Sequence, residues 1–338
     1  MKKIGKIFGY IFLGIILLIT LLLIYVKTML PSVGNAPDTK VEMSPANIER
    51  GKYLANHVSV CIDCHSTRDW SLFAGPPIAG TEGKGGEVFD QKMGFPGKYV
   101  APNITPFHLK DWKDGEIFRA ITSGVSKNGN ALFPIMPHHL YGQLDKKDIE
   151  AIIAYLRSLT PIENKTEASH SDFPMNFIIN TIPKKPSFVT MPSPDDKINY
   201  GKYLVTAAAC VDCHTKQEQG KFVGEQYAGG FEFKMPDGSI VTSANLTPDK
   251  ETGIGNLTSD EFVNLFKMFD DSTYVRKEVK PGEFQTTMPW TMYAGMKKSD
   301  LEAIYAYLHS LKPCKNEVVK YTPRSNIYLK GTIRIVED

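Results

Sequence analysis

The sequence predicts an all-α chain in which two tandem domains follow one N-terminal transmembrane helix. Three observations carry this prediction: an uncharged apolar run near the N-terminus, an internal repeat that covers most of the chain, and amphipathic helical periodicity where each repeat ends. The length of 338 residues suits two domains of ordinary size. We expect a membrane anchor at 1–27, domains at 44–165 and 193–315, a connector at 166–192 and a tail at 316–338.

The apolar run covers residues 7–26, which is about the length that a helix needs to cross a membrane. Lys2, Lys3 and Lys6 precede it, and the positive-inside tendency predicts a cytoplasmic N-terminus. A cleaved signal peptide is the alternative, because residues 34–36 loosely match a cleavage site, but the apolar run is long and ends about 10 residues upstream. We therefore expect a single-pass membrane protein with both domains on the periplasmic, extracytoplasmic side.

The charge balance gives no support for a nucleic-acid partner. The chain has 39 basic and 37 acidic residues, a formal net charge of +2, which does not favour nucleic-acid binding.

The internal repeat is visible as matching segments in the same order. They are 51–54 with 201–204, 61–65 with 210–214, 103–106 with 245–248, and 148–156 with 300–308. One structural unit is therefore present twice, and we name residues 44–165 the first repeat and residues 193–315 the second repeat.

Local patterns place helices at the start, middle and end of each repeat. Ser44 and Ser193 each precede a proline, which predicts N-caps. The middle helices are expected near 116–121 and 261–266, the latter with a capping box between Thr258 and Glu261. The closing helices carry apolar residues at i, i+3, i+4 and i+7. The Gly- and Pro-rich segments 73–102 and 219–245 are expected to be irregular, and the tail from Val318 is expected to form a strand through Ile327 to Ile335.

Each repeat contains the pattern Cys-x-x-Cys-His, which is typical of c-type haem attachment. Two cysteines three positions apart can form thioethers with one porphyrin, and the adjacent histidine can ligate the iron. A redox disulfide, a zinc site and a structural disulfide are the alternatives, but none requires histidine after the second cysteine in both copies. We therefore predict two haem c groups, held by Cys61, Cys64 and His65 and by Cys210, Cys213 and His214.

A sixth iron ligand is expected from methionine, which raises the reduction potential. Met136 and Met288 both lie 15 positions before an alanine of the closing helix, Ala151 and Ala303, so the repeat selects them as metal ligands with His65 and His214. Other candidates lack a counterpart in the other repeat. They are Met191 and Met235, and the rival ligands His138 and His139, which are replaced by Trp290 and Thr291. The remaining histidines, His57, His108, His170 and His309, are expected to be surface or capping residues, and Cys314 an inert thiol.

These residues resemble the diheme and triheme membrane-associated cytochrome c proteins, including the cytochrome c subunits of alcohol and gluconate dehydrogenases. The resemblance covers about 44–315 and rests on Cys-x-x-Cys-His, Asn-x-Thr-Pro, Met-Pro and the closing Ala-Tyr-Leu. It implies all-helical cytochrome c domains wrapped around each haem. It also implies electron transfer from a dehydrogenase or quinol-linked donor to a later cytochrome or oxidase acceptor.

The expected function is therefore an electron carrier rather than an enzyme. A diheme peroxidase is the alternative, since one iron could open a coordination site for hydrogen peroxide. A sensor or assembly subunit with structural haems is a third reading.

Overall fold

The computed structural model describes residues 2–270, 272, 274–280 and 282–324. The helices are α1 (Lys2–Thr28), α2 (Pro45–Tyr53), α3 (Cys61–Cys64), α4 (Pro106–Leu109), α5 (Asp114–Ser123), α6 (His138–Tyr141), α7 (Lys146–Ser158), α8 (Met175–Ile178), α9 (Lys197–Ala207), α10 (Cys210–Cys213), α11 (Ser259–Lys267), α12 (Trp290–Tyr293) and α13 (Lys298–His309). A π-helical turn, Leu54–Val58, and two 3-10 turns, Gln91–Met93 and Ile179–Thr181, complete them.

Helix α1 lies outside the core. It is long and apolar enough to cross a membrane, and its apolar part is exposed, while its C-terminal end contacts the rest of the chain. The sequence prediction of an N-terminal apolar helix is confirmed.

Each repeat is built on one pair of helices, α2 with α7 and α9 with α13. Glycine makes the close approach possible in both pairs. A Cβ on Gly51 would lie 1.8 Å from the carbonyl oxygen of Ala151, and a Cβ on Gly201 would lie 1.9 Å from that of Ala303. The closing helices predicted from apolar periodicity are thus confirmed, and their buried faces join one continuous apolar core.

The predicted helix starts are confirmed except at Ser193. The Ser44 side chain accepts from the backbone N–H of Asn47, and Thr258 and Glu261 form the expected capping box. The prediction of Ser193 as an N-cap was wrong, because α9 begins one turn later. Its cap is Asp196, a carboxylate that accepts from the N–H of Asn199 and complements the helix dipole.

The first repeat has one more residue than the second before its Cys-x-x-Cys-His segment. Seven positions separate Leu54 from Cys61, whereas six separate Leu204 from Cys210. The structure accommodates the extra residue in the π-helical turn Leu54–Val58.

The segments expected to be irregular contain short antiparallel strands, so the all-α prediction was too simple, although most of the regular secondary structure in the described residues is helical. The strands are β1 (Val88–Phe89), β2 (Gly97–Val100), β3 (His170–Ser171), β4 (Gln217–Glu218), β5 (Lys221–Phe222), β6 (Glu232–Lys234), β7 (Ile240–Thr242) and β8 (Tyr321–Thr322). They form the sheets β1-β2-β3, β4-β5 and β6-β7-β8. Strands of two to four residues are too short to show alternation in sequence.

Residues beyond each closing helix return to its own repeat as a strand. Ser171 pairs with Gly97 in the first sheet, and Tyr321 pairs with Val241 in the third. The predicted connector 166–192 therefore contributes β3 to the first repeat. Strand β8 lies in the tail segment expected to be extended, whose part from Ile327 to Ile335 lies outside the described residues.

The two repeats contact each other through reciprocal hydrogen bonds. The hydroxyl of Tyr53 donates to Asp300 at 2.6 Å, and the hydroxyl of Tyr203 donates to Asp148 at 2.7 Å. Each tyrosine hydroxyl also accepts a hydrogen bond from a backbone N–H, that of Lys297 for Tyr53 and that of Asp145 for Tyr203. Both aspartates are buried, so these contacts fix the relative position of the repeats.

Candidate functional site

The two Cys-x-x-Cys segments form equivalent one-turn helices. Cys61–Cys64 is α3 and Cys210–Cys213 is α10, so each cysteine pair stands three positions apart on a helical turn. The residues before them, Val60 and Ala209, have positive φ values of 44° and 52°. This left-handed conformation reverses the chain before each pair of thiols.

The histidine that follows each segment is oriented by a backbone carbonyl. Nδ1 of His65 lies 2.7 Å from the carbonyl oxygen of Pro102, and Nδ1 of His214 lies 2.8 Å from that of Ala244. Because a carbonyl oxygen only accepts, Nδ1 carries the proton and Nε2 presents a lone pair. Burial lowers the pKa of both rings and so favours the neutral form, which a metal ligand needs.

The duplicated Asn-x-Thr-Pro segment holds these carbonyls in place. Oδ1 of Asn103 accepts from the backbone N–H and the hydroxyl of Thr105, at 2.9 and 2.8 Å. Asn245 makes the same two bonds to Thr247, at the same distances. These residues directly follow Pro102 and Ala244, so the sequence motif is a brace for the loop that orients each histidine.

A glycine completes the support of each histidine, and sequence reasoning missed it. The N–H groups of Gly85 and Gly229 donate to the carbonyls of His65 and His214, each at 2.8 Å. Their φ values are +73° and +75°, and a Cβ on either would lie within 2.7 Å of backbone atoms from the segment before the Asn-x-Thr-Pro motif. Each is the first residue of a Gly-Gly pair, Gly85-Gly86 and Gly229-Gly230, so the sequence contains a duplicated signal for this support.

The four thiols of α3 and α10, which we name the attachment helices after their predicted role, form no disulfide with one another. They are Cys61, Cys64, Cys210 and Cys213. Burial raises the pKa of each to about 12, although all four keep some accessible surface. A redox-active cysteine pair requires a lowered pKa, so this environment does not favour a thiol–disulfide oxidoreductase.

A zinc site is not favoured by the arrangement of side chains. Among the residues that the structure describes, no group of three or more His, Cys, Asp or Glu side chains could hold a metal ion. The residues instead fit a porphyrin, since each repeat presents two thiols on one turn and one imidazole with a free Nε2.

The aspartate between the cysteines has different partners in the two repeats. Asp63 is buried and pairs with Arg68 at 3.2 Å, and the guanidinium of Arg68 lies 4.1 Å from the ring centroid of Trp70. Burial raises the pKa of Asp63 to about 6, an effect that Arg68 opposes. Asp212 instead contacts His139 of the first repeat at 3.2 Å. The second attachment helix is thus tied to the loop that carries Met136.

Both methionines predicted as ligands occupy the same kind of turn. The carbonyl of Met136 accepts from the N–H of His138 at 2.7 Å, and that of Met288 accepts from Trp290 at 2.8 Å. The one-turn helices α6 and α12 follow, and both methionines pack partly buried against the core. The sequence repeat at Met-Pro therefore corresponds to a repeat of backbone geometry.

One tyrosine links each methionine turn to the attachment helix of its own repeat. The hydroxyl of Tyr141 donates to the carbonyl of Ser59, and the hydroxyl of Tyr293 donates to that of Ala208, both at 3.0 Å. Both acceptors lie two positions before the first cysteine. Burial raises the pKa of both tyrosines well above the usual value, and groups on both attachment helices add to the effect. Each methionine turn is therefore hydrogen-bonded to the chain just before the cysteine pair of its own repeat.

The rival histidines have other contacts. His138 is buried against Gly124 at the end of α5, and Trp290 packs equivalently on Phe266 at the end of α11. Packing thus accounts for the position of His138. His139 faces Asp212 of the second repeat.

Met191 and Met235, the two methionines without a counterpart in the other repeat, lie in structural positions. Sδ of Met191 accepts from Arg50 at 3.3 Å, and Met235 is buried in the hairpin between β6 and β7.

Two minor predictions change in detail. His57 is not a surface residue, since its Nδ1 lies 2.9 Å from the carbonyl oxygen of Met292 in the other repeat. Cys314 is a half-buried free thiol whose backbone N–H donates to Thr247, as the N–H of Ile162 does to Thr105. Cys314 therefore has a structural counterpart without a thiol.

Comparison with known proteins points to one group. No family model matches the chain. The chain is 25% identical over 307 residues to the cytochrome c subunit of a quinone-dependent alcohol dehydrogenase from Gluconacetobacter polyoxogenes, which covers 86% of this chain and 61% of that protein. It is 26% identical over 239 residues to the gluconate 2-dehydrogenase cytochrome c subunit of Pantoea cypripedii, covering 65% and 50%. A diheme cytochrome c-type protein of Cereibacter sphaeroides is 26% identical over 164 residues, which cover 46% of this chain and 53% of that protein.

This chain spans no more than 61% of the length of those relatives. Their names support the prediction of an electron carrier and do not favour the peroxidase alternative. The resemblance inferred from the motifs is confirmed: the chain is similar to cytochrome c subunits of alcohol and gluconate dehydrogenases and to a diheme cytochrome c.

Proposed function

We propose that this chain is an electron-transfer protein that holds two covalently attached c-type haems, one in each repeat. The observation that carries the proposal is the duplicated histidine geometry, with Nδ1 of His65 and His214 held by a carbonyl at 2.7 and 2.8 Å beside a pair of free thiols. Cys61 with Cys64, and Cys210 with Cys213, would form the thioethers. Nε2 of each histidine would be one axial ligand.

Met136 and Met288 are proposed as the second axial ligands. The carbonyl of each methionine accepts the N–H of the residue two positions later, and Tyr141 and Tyr293 connect their turns to the chain before the two attachment helices. A bound c-type haem supplies an iron that accepts and releases one electron. The residues of this chain hold the ring, set the orientation of its ligands and exclude water with the apolar core.

The two cytochrome c domains are proposed to correspond to the repeats, with β3 and β8 as their last elements. The contact between His139 and Asp212, which joins the methionine turn of the first repeat to the second attachment helix, supports electron exchange between the two sites. Helix α1 is proposed as the anchor of a single-pass protein with a cytoplasmic N-terminus and with both domains on the outer face of the cytoplasmic membrane. The named relatives support a dehydrogenase as electron donor. A quinol-linked donor is the alternative, and the acceptor is proposed to be a cytochrome or an oxidase.

A redox titration of the purified full chain tests this function. We expect two reversible one-electron steps. Met136→Ala and Met288→Ala should each lower the potential of one step, because thioether ligation raises it. Met191→Ala and Met235→Ala are matched controls that should leave both steps unchanged. A haem that becomes five-coordinate and turns over hydrogen peroxide in the parent protein would support the peroxidase alternative instead.

A further inference from the structure

An exposed apolar segment follows β3 and includes α8 and the 3-10 turn Ile179–Thr181. The side chain of Phe173 is 80% exposed and that of Ile178 is 43% exposed. Phe173 and Phe177 contact each other edge to face, with ring centroids 6.4 Å apart. Large apolar side chains grouped in this way mark a surface that contacts a protein or a membrane.

The segment lies against the C-terminal end of α1. Nζ of Lys27 donates to the carbonyl of Asn176 at 3.4 Å and lies 5.6 Å from the ring centroid of Phe177. Helix α8 and the turn after it pack on α1. If α1 crosses a membrane, its last turn lies at the lipid–water boundary, and the apolar segment lies at the same level.

The same segment is fixed to the first repeat. Strand β3, which directly precedes the segment, pairs with β2. Nε2 of Gln91 also donates to Asp172 at 2.8 Å. The hydroxyl of Tyr99 also donates to Ser171 at 3.0 Å. Phe173 therefore directly follows a segment that is hydrogen-bonded to the first repeat.

The charge of the segment favours a lipid surface over a protein. Residues 173–185 contain no acidic residue, and they end with Lys184 and Lys185, both exposed. Aromatic and apolar side chains flanked by lysines are typical of the interface of a membrane with anionic lipids.

We propose that residues 173–185 form a second membrane contact, in which Phe173 and Ile178 enter the lipid interface beside the end of α1. This inference rests on the proposed membrane anchor. The contact would fix the orientation of the first repeat on the membrane, which a single flexible tether would not do.

Photocrosslinking of the full chain in lipid nanodiscs that contain anionic lipid tests the contact. The photoreactive residue p-benzoylphenylalanine replaces Phe173, and mass spectrometry identifies the adducts. Phe12 in α1 is the control for the anchor, and Phe222 is an exposed phenylalanine in the second repeat. We expect lipid adducts at Phe173 at a yield comparable to Phe12, with none at Phe222.

The outcomes separate the two proposals. Lipid adducts at Phe12 without lipid adducts at Phe173 would overturn the second contact and leave the anchor intact. Adducts at Phe173 to protein alone would also overturn it. An absence of lipid adducts at Phe12 would remove the anchor, and this inference with it.

Discussion

The hydroxyl of Tyr53 donates a hydrogen bond of 2.6 Å to the carboxylate of Asp300, 247 positions further along the chain. The matching bond from Tyr203 to Asp148 differs in one respect, because Arg50 also binds Asp148 through two nitrogens, at 2.9 and 2.8 Å. The interface between the repeats is therefore held by equivalent tyrosines but unequal aspartate partners.

The Tyr53→Phe variant should destabilise the protein more than Tyr203→Phe. Without Tyr53, the buried carboxylate of Asp300 retains only a 3.3 Å bond from Ser299 among its side-chain partners in the described chain. We expect a loss of about 1–3 kcal/mol in the free energy of unfolding for Tyr53→Phe. Urea denaturation followed by circular dichroism measures both variants, and an equal or larger loss for Tyr203→Phe would contradict this account.

Alanine at Gly51 or Gly201 should separate the helix pair of that repeat. The new Cβ would lie 1.8 or 1.9 Å from a carbonyl oxygen of the facing helix, which neither backbone can relieve locally. We expect a loss of about 3 kcal/mol or more, measured as a lower melting temperature. Lys52→Ala, at the exposed neighbouring position, is the control and should melt like the parent protein.

Removal of the Tyr141 or Tyr293 hydroxyl should weaken methionine ligation in one repeat only. Tyr141→Phe leaves the Ser59 carbonyl without its side-chain donor and frees the turn that carries Met136. We expect a partial loss of the methionine-to-iron absorption band at the first haem. Tyr293→Phe should have the same effect at the second haem, and loss at both haems from either variant would refute this assignment.

The buried His138 predicts a specific pH dependence. Burial, and to a lesser extent His139, lowers the pKa of His138 to about 4, below the value of about 6.5 in an unfolded chain. A base with a lowered pKa stabilises the fold above about pH 6.5, and this contribution of about 3 kcal/mol is lost as the pH falls to about 4.

Substitution isolates this contribution. Unfolding free energies measured from pH 7 to pH 4 should fall less steeply for His138→Phe than for the parent. The exposed His170→Phe control should keep the slope of the parent. If His138→Phe kept it as well, His138 would not be the group that titrates.

Sequence reasoning identified the features that are local or duplicated. Helix α13 follows directly from apolar residues at helical spacing, and the turn at Met288 was selected because Met136 precedes its closing helix by the same distance. The attachment cysteines and histidines needed only the motif. The predicted helix and turn match the structure because spacing along the chain determines which side chains share a turn. The roles of the cysteines, histidines and methionines at the site stay predictions.

Features that depend on approach between distant segments were missed. Gly85 and Gly229 each begin a Gly-Gly pair that the sequence shows in both repeats, but only the fold shows that both donate to a histidine carbonyl. The strands β3 and β8 pair with strands far away in sequence. Each is only two residues long, which is too short to show an alternation of apolar and polar residues. Near Ser193 the sequence offers two caps of similar strength, and the helix starts at Asp196, whose side chain accepts from the N–H of Asn199.

Mass spectrometry of the denatured protein tests the central claim most directly. Protein from cells able to assemble c-type cytochromes should carry two porphyrins that survive denaturation. Cys61→Ala with Cys64→Ala should remove one, and Cys210→Ala with Cys213→Ala the other, while Cys314→Ala should retain both. A denatured parent chain with the mass of the polypeptide alone would contradict the account.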